Sequence, residues 1–399
     1  MQELYIYDIV RTARSKGKEG APLSHVKPVE QLAQLYHALE RRGLPLELVE
    51  DVLLGCVTQV RDQGTNIAKV SALYAGLPDR IPGLTLNRLC TSGLDSVQMA
   101  AGQLASGMGG ELILAGGIES MSRVPIFSDK GAWFADPEVA TRTKFVQMGF
   151  AADVVGTQRG FTREELDAWA ARSHARAAHA EEQGRFNKSI VPIDHDDFDK
   201  PFSKEELIRK NTSADVMSEM SPLFMDERSS AHALERFPYL TAITPLHHRA
   251  NSPALADGAA IAAIGLKSAR QGERFKPRAR IVSWAVASVD PVEMLTGSIP
   301  AAKMALERAN LSPHDIDLVE INEAFAAPTL AIVRELALDE ERVNVNGGTI
   351  AMGHAMGATG TMLLATLLDE LERTNQRFGL VALAGGAGVG SAMVIERVE

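Results

Sequence analysis

Leu86–Arg123, LNRLCTSGLDSVQMAAGQLASGMGGELILAGGIESMSR, reads as a turn, a helix and a strand in succession, with Cys90 at the first junction. From Thr91 to about Ser106 the apolar residues Leu94, Val97, Met99, Ala101 and Leu104 recur at roughly helical spacing, and Gly107 stops the run. Glu111–Gly117 then forms a short apolar strand that ends in glycines. Cys90 therefore falls at or just before a helix N-terminus. Unpaired N–H groups and the positive end of the helix dipole favour a thiolate there, and the thiolate is the nucleophilic form. A buried Cys acting as a small hydrophobe is the competing reading of this stretch alone.

On either side of this stretch, strands and helices alternate. Leu4–Val10 reads as a strand, Val29–Arg41 as an amphipathic helix after Pro28, and Val52–Cys56 as an apolar strand. Alternation of this kind predicts an α/β sheet with helices on its faces. From about Val124 to His248 the chain turns polar and irregular. One helix stands out there, Thr162 to about Gln183, opened by the capping box Thr162-x-x-Glu165. The α/β pattern resumes with strands at Gly258–Ile264, Pro277–Ser288 and Ile316–Ile321 and a helix at Pro300–Ala309. The second half echoes the first: Ala38–Arg41 (ALER) matches Ala305–Arg308, and Leu112–Gly117 (LILAGG) matches Val381–Gly386 (VALAGG). Such matches imply two similar α/β halves.

The 399 residues are 45% hydrophobic and 23% charged, an ordinary globular composition with room for two or three domains. A net charge of −10 argues against nucleic acid as the main partner. Two Cys residues in so long a chain argue for a reducing compartment. The first residues open directly as a strand and lack the pattern of a signal peptide, so a cytoplasmic location is expected. Val343–Leu368 carries no Lys, Arg, Asp or Glu, but two Asn, His354 and five glycines exclude a membrane span. Asp194–Asp199 (DHDDFD) lacks the Gly and twelfth-position Glu of a calcium loop, and His247-His248 has no matching metal-ligand spacing, so no metal is expected.

Three further features bear on chemistry. His354 stands in Asn346–Gly360, NGGTIAMGHAMGATG, at the place in the second half comparable to that of Cys90. Eight of those fifteen residues are Gly or Ala, which lets backbone N–H groups and a substrate approach closely. If the halves are related by a pseudo-dyad, Cys90 and His354 face one another, and a His beside a Cys is an activated-nucleophile pair. Asn322, in Asn322–Ala326 (NEAFA), follows an apolar strand, where α/β sites collect. Gly385–Gly390 does not have G-x-G-x-x-G spacing and leads into a strand, which points to an oxyanion hole rather than a nucleotide site.

Together, Leu86–Arg123, Asn322–Ala326, Asn346–Gly360 and Ala384–Glu396 resemble the thiolase family, the acyl-CoA C-acyltransferases, over essentially the whole chain. The resemblance implies two pseudo-symmetric α/β halves with five-stranded sheets in a layered core. An N-terminal half, 1–123 plus 249–273, would carry an inserted loop domain, 124–248, and a C-terminal half, 274–399, would complete the fold. It further implies an acyl-thioester on Cys90, activated by His354. His354 and a water held by Asn322 would form one oxyanion hole, and the N–H groups of Cys90 and Gly386 the other. Met148, Ala324, Phe325 and Ser252 would contact the pantetheine of coenzyme A, which is substrate rather than cofactor. Acyl-CoA and CoA are the expected partners, with no nucleic acid and no membrane, in a homodimer or homotetramer.

The chain departs from the family pattern at four places. Ala384 occupies the position of the second catalytic Cys, the acid/base of carbon–carbon chemistry. Ala355 follows His354 in place of Pro, Gln147 replaces a His, and Pro253 a pantetheine-contacting Ser. Loss of a positioned acid/base lowers rates by about 10²–10⁴-fold. Two alternatives to a thiolase therefore stand beside it. One is an acyltransferase or thioester hydrolase without carbon–carbon chemistry, and the other is an acyl-CoA-binding subunit without turnover.

Overall fold

A computed structural model of the protein describes residues 2–269 and 275–398. Among the described residues ten strands run in chain order: β1 Leu4–Arg11, β2 Ser15–Lys16, β3 Val49–Gly55, β4 Leu84–Leu86, β5 Leu112–Glu119, β6 Ala256–Leu266, β7 Ala279–Ser288, β8 Leu318–Ile321, β9 Phe378–Ala384 and β10 Val389–Arg397. They lie in the order β4-β3-β5-β6-β1-β7-β10-β9-β8, with β2 paired to β6. In the first half β3 and β5 are parallel, and β6 and β1 follow antiparallel. In the second half β8 and β9 are parallel, and β10 and β7 follow antiparallel. The succession β3-β5-β6-β1 is thus repeated as β8-β9-β10-β7.

The sequence echoes fall on corresponding elements of the two halves, though at different points along the strands. LILAGG is the first six residues of β5, whereas VALAGG takes the last four of β9 and the two glycines beyond it. The two ALER tetrapeptides end the helices Pro28–Arg41 and Ser298–Ala309. The edge strands of the halves meet antiparallel through two residue pairs, Tyr5↔Arg280 and Ile6↔Ala279. The halves therefore share one continuous sheet, in place of the two five-stranded sheets that were expected. Among the described residues the second half has four strands, because the counterpart of β4 is reduced to a single parallel bridge, Val319↔Val343. The expected boundary between 273 and 274 lies outside the described residues.

Helices Ser92–Ser106 and Met356–Thr374 form the middle layer. Leu94, Val97, Leu104, Leu363, Leu364 and Leu368 pack with Ile6, Ile113, Val381 and Met393 from both halves of the sheet. Every residue from Met356 to Leu371 is buried, which accounts for the uncharged run there. No described helix is long and apolar enough to cross a membrane.

The segment between β5 and β6 is richer in helix than its sequence suggests. Beside the predicted helix, found at Arg163–Glu182 with its capping box, it holds Ala132–Ala135, Pro137–Arg142, Met148–Gln158, Ala214–Ser218 and Glu227–Arg236. Met148–Gln158 escaped notice because Gly149 through Gly156 are all buried. A helix covered on every side has no polar face for a 3.6-residue period to reveal.

Candidate active site

Cys90 and His354 each stand two residues before the first residue of a middle-layer helix, at Ser92 and Met356. Those two first turns touch backbone to backbone. The Thr361 hydroxyl donates to the Gly93 carbonyl at 2.9 Å. A Cβ at Gly93 would lie 2.5 Å from the Gly357 oxygen, and one at Gly360 would lie 2.5 Å from the Leu94 nitrogen. Side chains at these positions would force the helices apart, since real Cβ atoms do not approach so closely. The glycines thus bring the two half-sites together at the junction of the halves.

Cys90 is buried at 4% exposure, and Leu89 before it has φ of 54°, a left-handed conformation costly for a non-glycine residue. The N–H groups of Gly386 and of Cys90 itself lie near enough to the sulfur to favour its charged form. The thiol nevertheless lies well above its ordinary value, at about 11. Burial is the main cause, and the nearby Glu119 carboxylate adds to it, while the two amides oppose them. This corrects the sequence expectation that the helix terminus makes a resting thiolate: desolvation outweighs the oriented N–H groups, and the free site holds a thiol.

His354 is fixed by its N–H to the Ala254 carbonyl at 2.9 Å, and its Nδ1 lies 2.8 Å from the Thr359 hydroxyl. Burial, with a smaller push from the Arg14 charge, lowers it to about 4, so the imidazole is neutral near pH 7. Its Nε2 is buried without a hydrogen-bond partner. Asn322 accepts from the Thr349 hydroxyl at 2.9 Å through Oδ1, while its Nδ2 is likewise buried and unpartnered. Ser252 Oγ is a third such atom, two residues before the Ala254 that holds His354. An unpaired buried polar atom costs about 1–3 kcal/mol. Unpaired polar atoms on and beside the His354 turn are groups kept ready for a polar ligand.

A narrow cleft opens at Cys90 and Gly386, walled by Leu89, Ile126, Phe127, Trp133, Phe134 and Met148. Met148 therefore lines the cleft that holds the nucleophile. Ala324 and Phe325 pack behind it in the same apolar cluster, with Phe325 set edge-on to Phe224 and His247. They do not line this cleft. Ala384 is buried, opposite Gly390 across β9 and β10, and presents only a methyl group. Cys56 is fully buried with its sulfur 4.0 Å from Glu119 Oε1.

Glu119 was missed by the sequence reading. Its carboxylate accepts N–H groups from Val57 at 3.0 Å, Thr58 at 3.1 Å and Gly357 at 3.0 Å, and the Gln63 amide at 3.0 Å. It thereby ties the loop after β3 to the first turn beside His354. A lone carboxylate closing the apolar strand LILAGGIE was the available signal. His247 and His248 pair instead with Asp153 at 2.6 Å and Asp167 at 2.8 Å. The Ala327 N–H donates to His247 Nε2, so that ring is fully used in packing. Among the described residues no cluster has metal-holding geometry.

Comparison with known proteins agrees with this arrangement. The family model for the thiolase N-terminal domain matches residues 5–235, and that for the thiolase C-terminal domain matches residues 275–397. A 3-ketoacyl-CoA thiolase of Citrobacter koseri is 37% identical over 408 residues, covering all of both chains. One of Bacillus subtilis is 36% identical over 412 residues, covering 99% of this chain and all of its own. Among solved structures, the Bacillus anthracis acetyl-CoA acetyltransferase superposes with a TM-score of 0.86 at 34% identity, over 100% of this chain and 99% of that one. With both halves of the fold matched and the nucleophile turn set against the His354 turn, the chain belongs to the thiolase family.

Proposed function

We propose that the protein is an acyl-CoA C-acyltransferase of the thiolase type. It would catalyse thiolysis of a 3-oxoacyl-CoA by CoA, or the reverse Claisen condensation. The observation that carries this reading is a buried thiol whose turn packs against the His354 turn, with the Gly386 N–H beside the sulfur and with His354 Nε2 and Asn322 Nδ2 buried and unpartnered. With Nδ1–H donated to Thr359, His354 Nε2 presents a lone pair. It takes the Cys90 proton as sulfur attacks the thioester or ketone carbonyl. The carbonyl oxygen, now negative, accepts the N–H groups of Gly386 and Cys90. The leaving group departs with a proton, and Cys90 holds the acyl group until an acceptor removes it. Asn322 Nδ2, and His354 once its Nε2 again carries a proton, then steady the oxygen of the second substrate. Met148, Ala324, Phe325 and Ser252 would guide the pantetheine. No cofactor or metal is needed for acylation of Cys90, in which the thiol, the imidazole and the amides supply each role. We further place the enzyme in the cytoplasm, in fatty acid metabolism, as a homodimer or homotetramer that engages neither nucleic acid nor membrane.

A second reading is favoured by Ala384, whose buried methyl group can neither remove nor return a proton. In it the acyl-Cys90 intermediate forms, but passes to water or another acceptor. Thiolysis of acetoacetyl-CoA by wild type, Cys90→Ala and Ala384→Cys, with intact mass recorded, separates the two. Turnover by wild type that Cys90→Ala abolishes supports the thiolase. Acylated Cys90 without turnover, rescued by Ala384→Cys, supports the second reading. Wild type that neither turns over nor becomes acylated refutes both and leaves an acyl-CoA-binding subunit.

A further inference from the structure

The two sides of Cys90 differ in character. The unpaired atoms of His354, Asn322 and Ser252 are polar, whereas the cleft at the thiol is mostly apolar, walled by Leu89, Ile126, Phe127, Trp133, Phe134 and Met148, with Thr58, Asn87 and Asp129 as its polar members. A carbonyl bonded to the sulfur with its oxygen on the Gly386 N–H must send its remaining substituent elsewhere. The apolar cleft is the surface that suits a hydrocarbon tail. That cleft is short, at about 60 Å³. A dry cavity of about 150 Å³ holds one six-carbon benzene ring, so by proportion this cleft takes two or three carbons.

One side chain of the inserted segment stands directly against the oxyanion glycine at the thiol. The six-membered ring of Trp133 comes within 3.1 and 3.2 Å of the point where a Cβ on Gly386 would stand. The indole therefore roofs the oxyanion glycine directly. It is braced from behind by Phe145, edge to face at 4.9 Å, and Phe127 and Phe134 close the flank at 4.4 Å from each other. We propose that Trp133 is the residue that determines acyl length, restricting the group carried on Cys90 to two or three carbons. This rests on the acyl-transfer reading given above, and selects short-chain acyl-CoA thioesters as its substrates.

The test is the rate at which intact protein gains an acyl group from acetyl-CoA and, separately, from octanoyl-CoA, in wild type, Trp133→Ala and Trp133→Phe. The octanoyl-to-acetyl ratio within each protein cancels any difference in folded fraction. Poor fit in a hydrophobic pocket changes rates by about tenfold or more. Wild type is expected to favour acetyl by at least about tenfold. Trp133→Ala should raise the octanoyl-to-acetyl ratio by about tenfold or more, with Trp133→Phe between the two. A wild type that takes both groups equally, or a ratio unmoved by either substitution, overturns the proposal. Labelling by neither thioester overturns the acyl-transfer reading and the length limit together, a pattern distinct from an unchanged ratio.

Discussion

The resting state of the Cys90–His354 pair can be tested by alkylation across pH. A thiol near 11 is ionised at pH 7 to about one part in ten thousand, since 11 − 7 is 4 decades, whereas one at its ordinary 9.0 is ionised to about one part in a hundred. Burial therefore lowers the thiolate population about a hundredfold, or about 3 kcal/mol at 1.36 kcal/mol per decade. His354, held near 4, carries no charge through the working range and cannot offset this by forming an imidazolium partner. Iodoacetamide modification, resolved at Cys90 by peptide mass and run from pH 6 to pH 10, measures it. The Cys90 rate should climb by about tenfold per pH unit without levelling. Steric exclusion by the cleft lowers every point equally and leaves that slope intact. His354→Ala should leave the slope unchanged too. A rate that is flat between pH 6 and 8, and regains its slope in His354→Ala, would refute the argument by revealing a standing thiolate–imidazolium pair.

Three other perturbations read other parts of the structure. Ala384→Cys places a thiol at the end of β9 and should raise thiolysis by about 10²-fold or more if carbon–carbon chemistry now lacks its acid/base; an unchanged kcat would show that another group already serves. Arg278 donates to Asp8, Asp369 and Glu372 at the junction of the halves, so Arg278→Met leaves the buried Asp369 without a cation, while Asp8 keeps Arg42 and Glu372 keeps Lys188. It should lower stability by about 3 kcal/mol, read from the urea midpoint, and an unmoved midpoint would contradict this. Asp257, buried beside the Ser122 hydroxyl, is raised to about 6 from 3.8. The folded state then holds the proton more tightly than the unfolded chain. Its stabilising effect is complete below about 3.8 and is lost as pH rises through about 6, by about 3 kcal/mol in all. Asp257→Asn should flatten that slope in unfolding free energy between pH 4 and 7, and identical slopes in the two proteins would exclude it.

What the chain reveals before folding depends on how its side chains are exposed. The strands and the Cys90 turn announce themselves because apolar periodicity, a terminating Gly107 and a repeated LILAGG motif are local signals. The repeat also put His354 opposite Cys90, since two halves with one topology must place equivalent turns at one junction. Helix Met148–Gln158, buried on all sides, lost its period by being covered. The protonation state was misread for a related reason. A helix terminus is visible in sequence, but the depth that desolvates Cys90 is built from β9, the inserted segment and the neighbouring half together. Glu119 shows the same limit from the other side: its four N–H donors come from residues up to 238 positions away, and only assembly makes one carboxylate the latch between the half-sites. A site formed at a pseudo-dyad therefore separates identity from state. Which residues meet is written in the repeat, while the charge they carry there follows from how much water the assembled layers exclude.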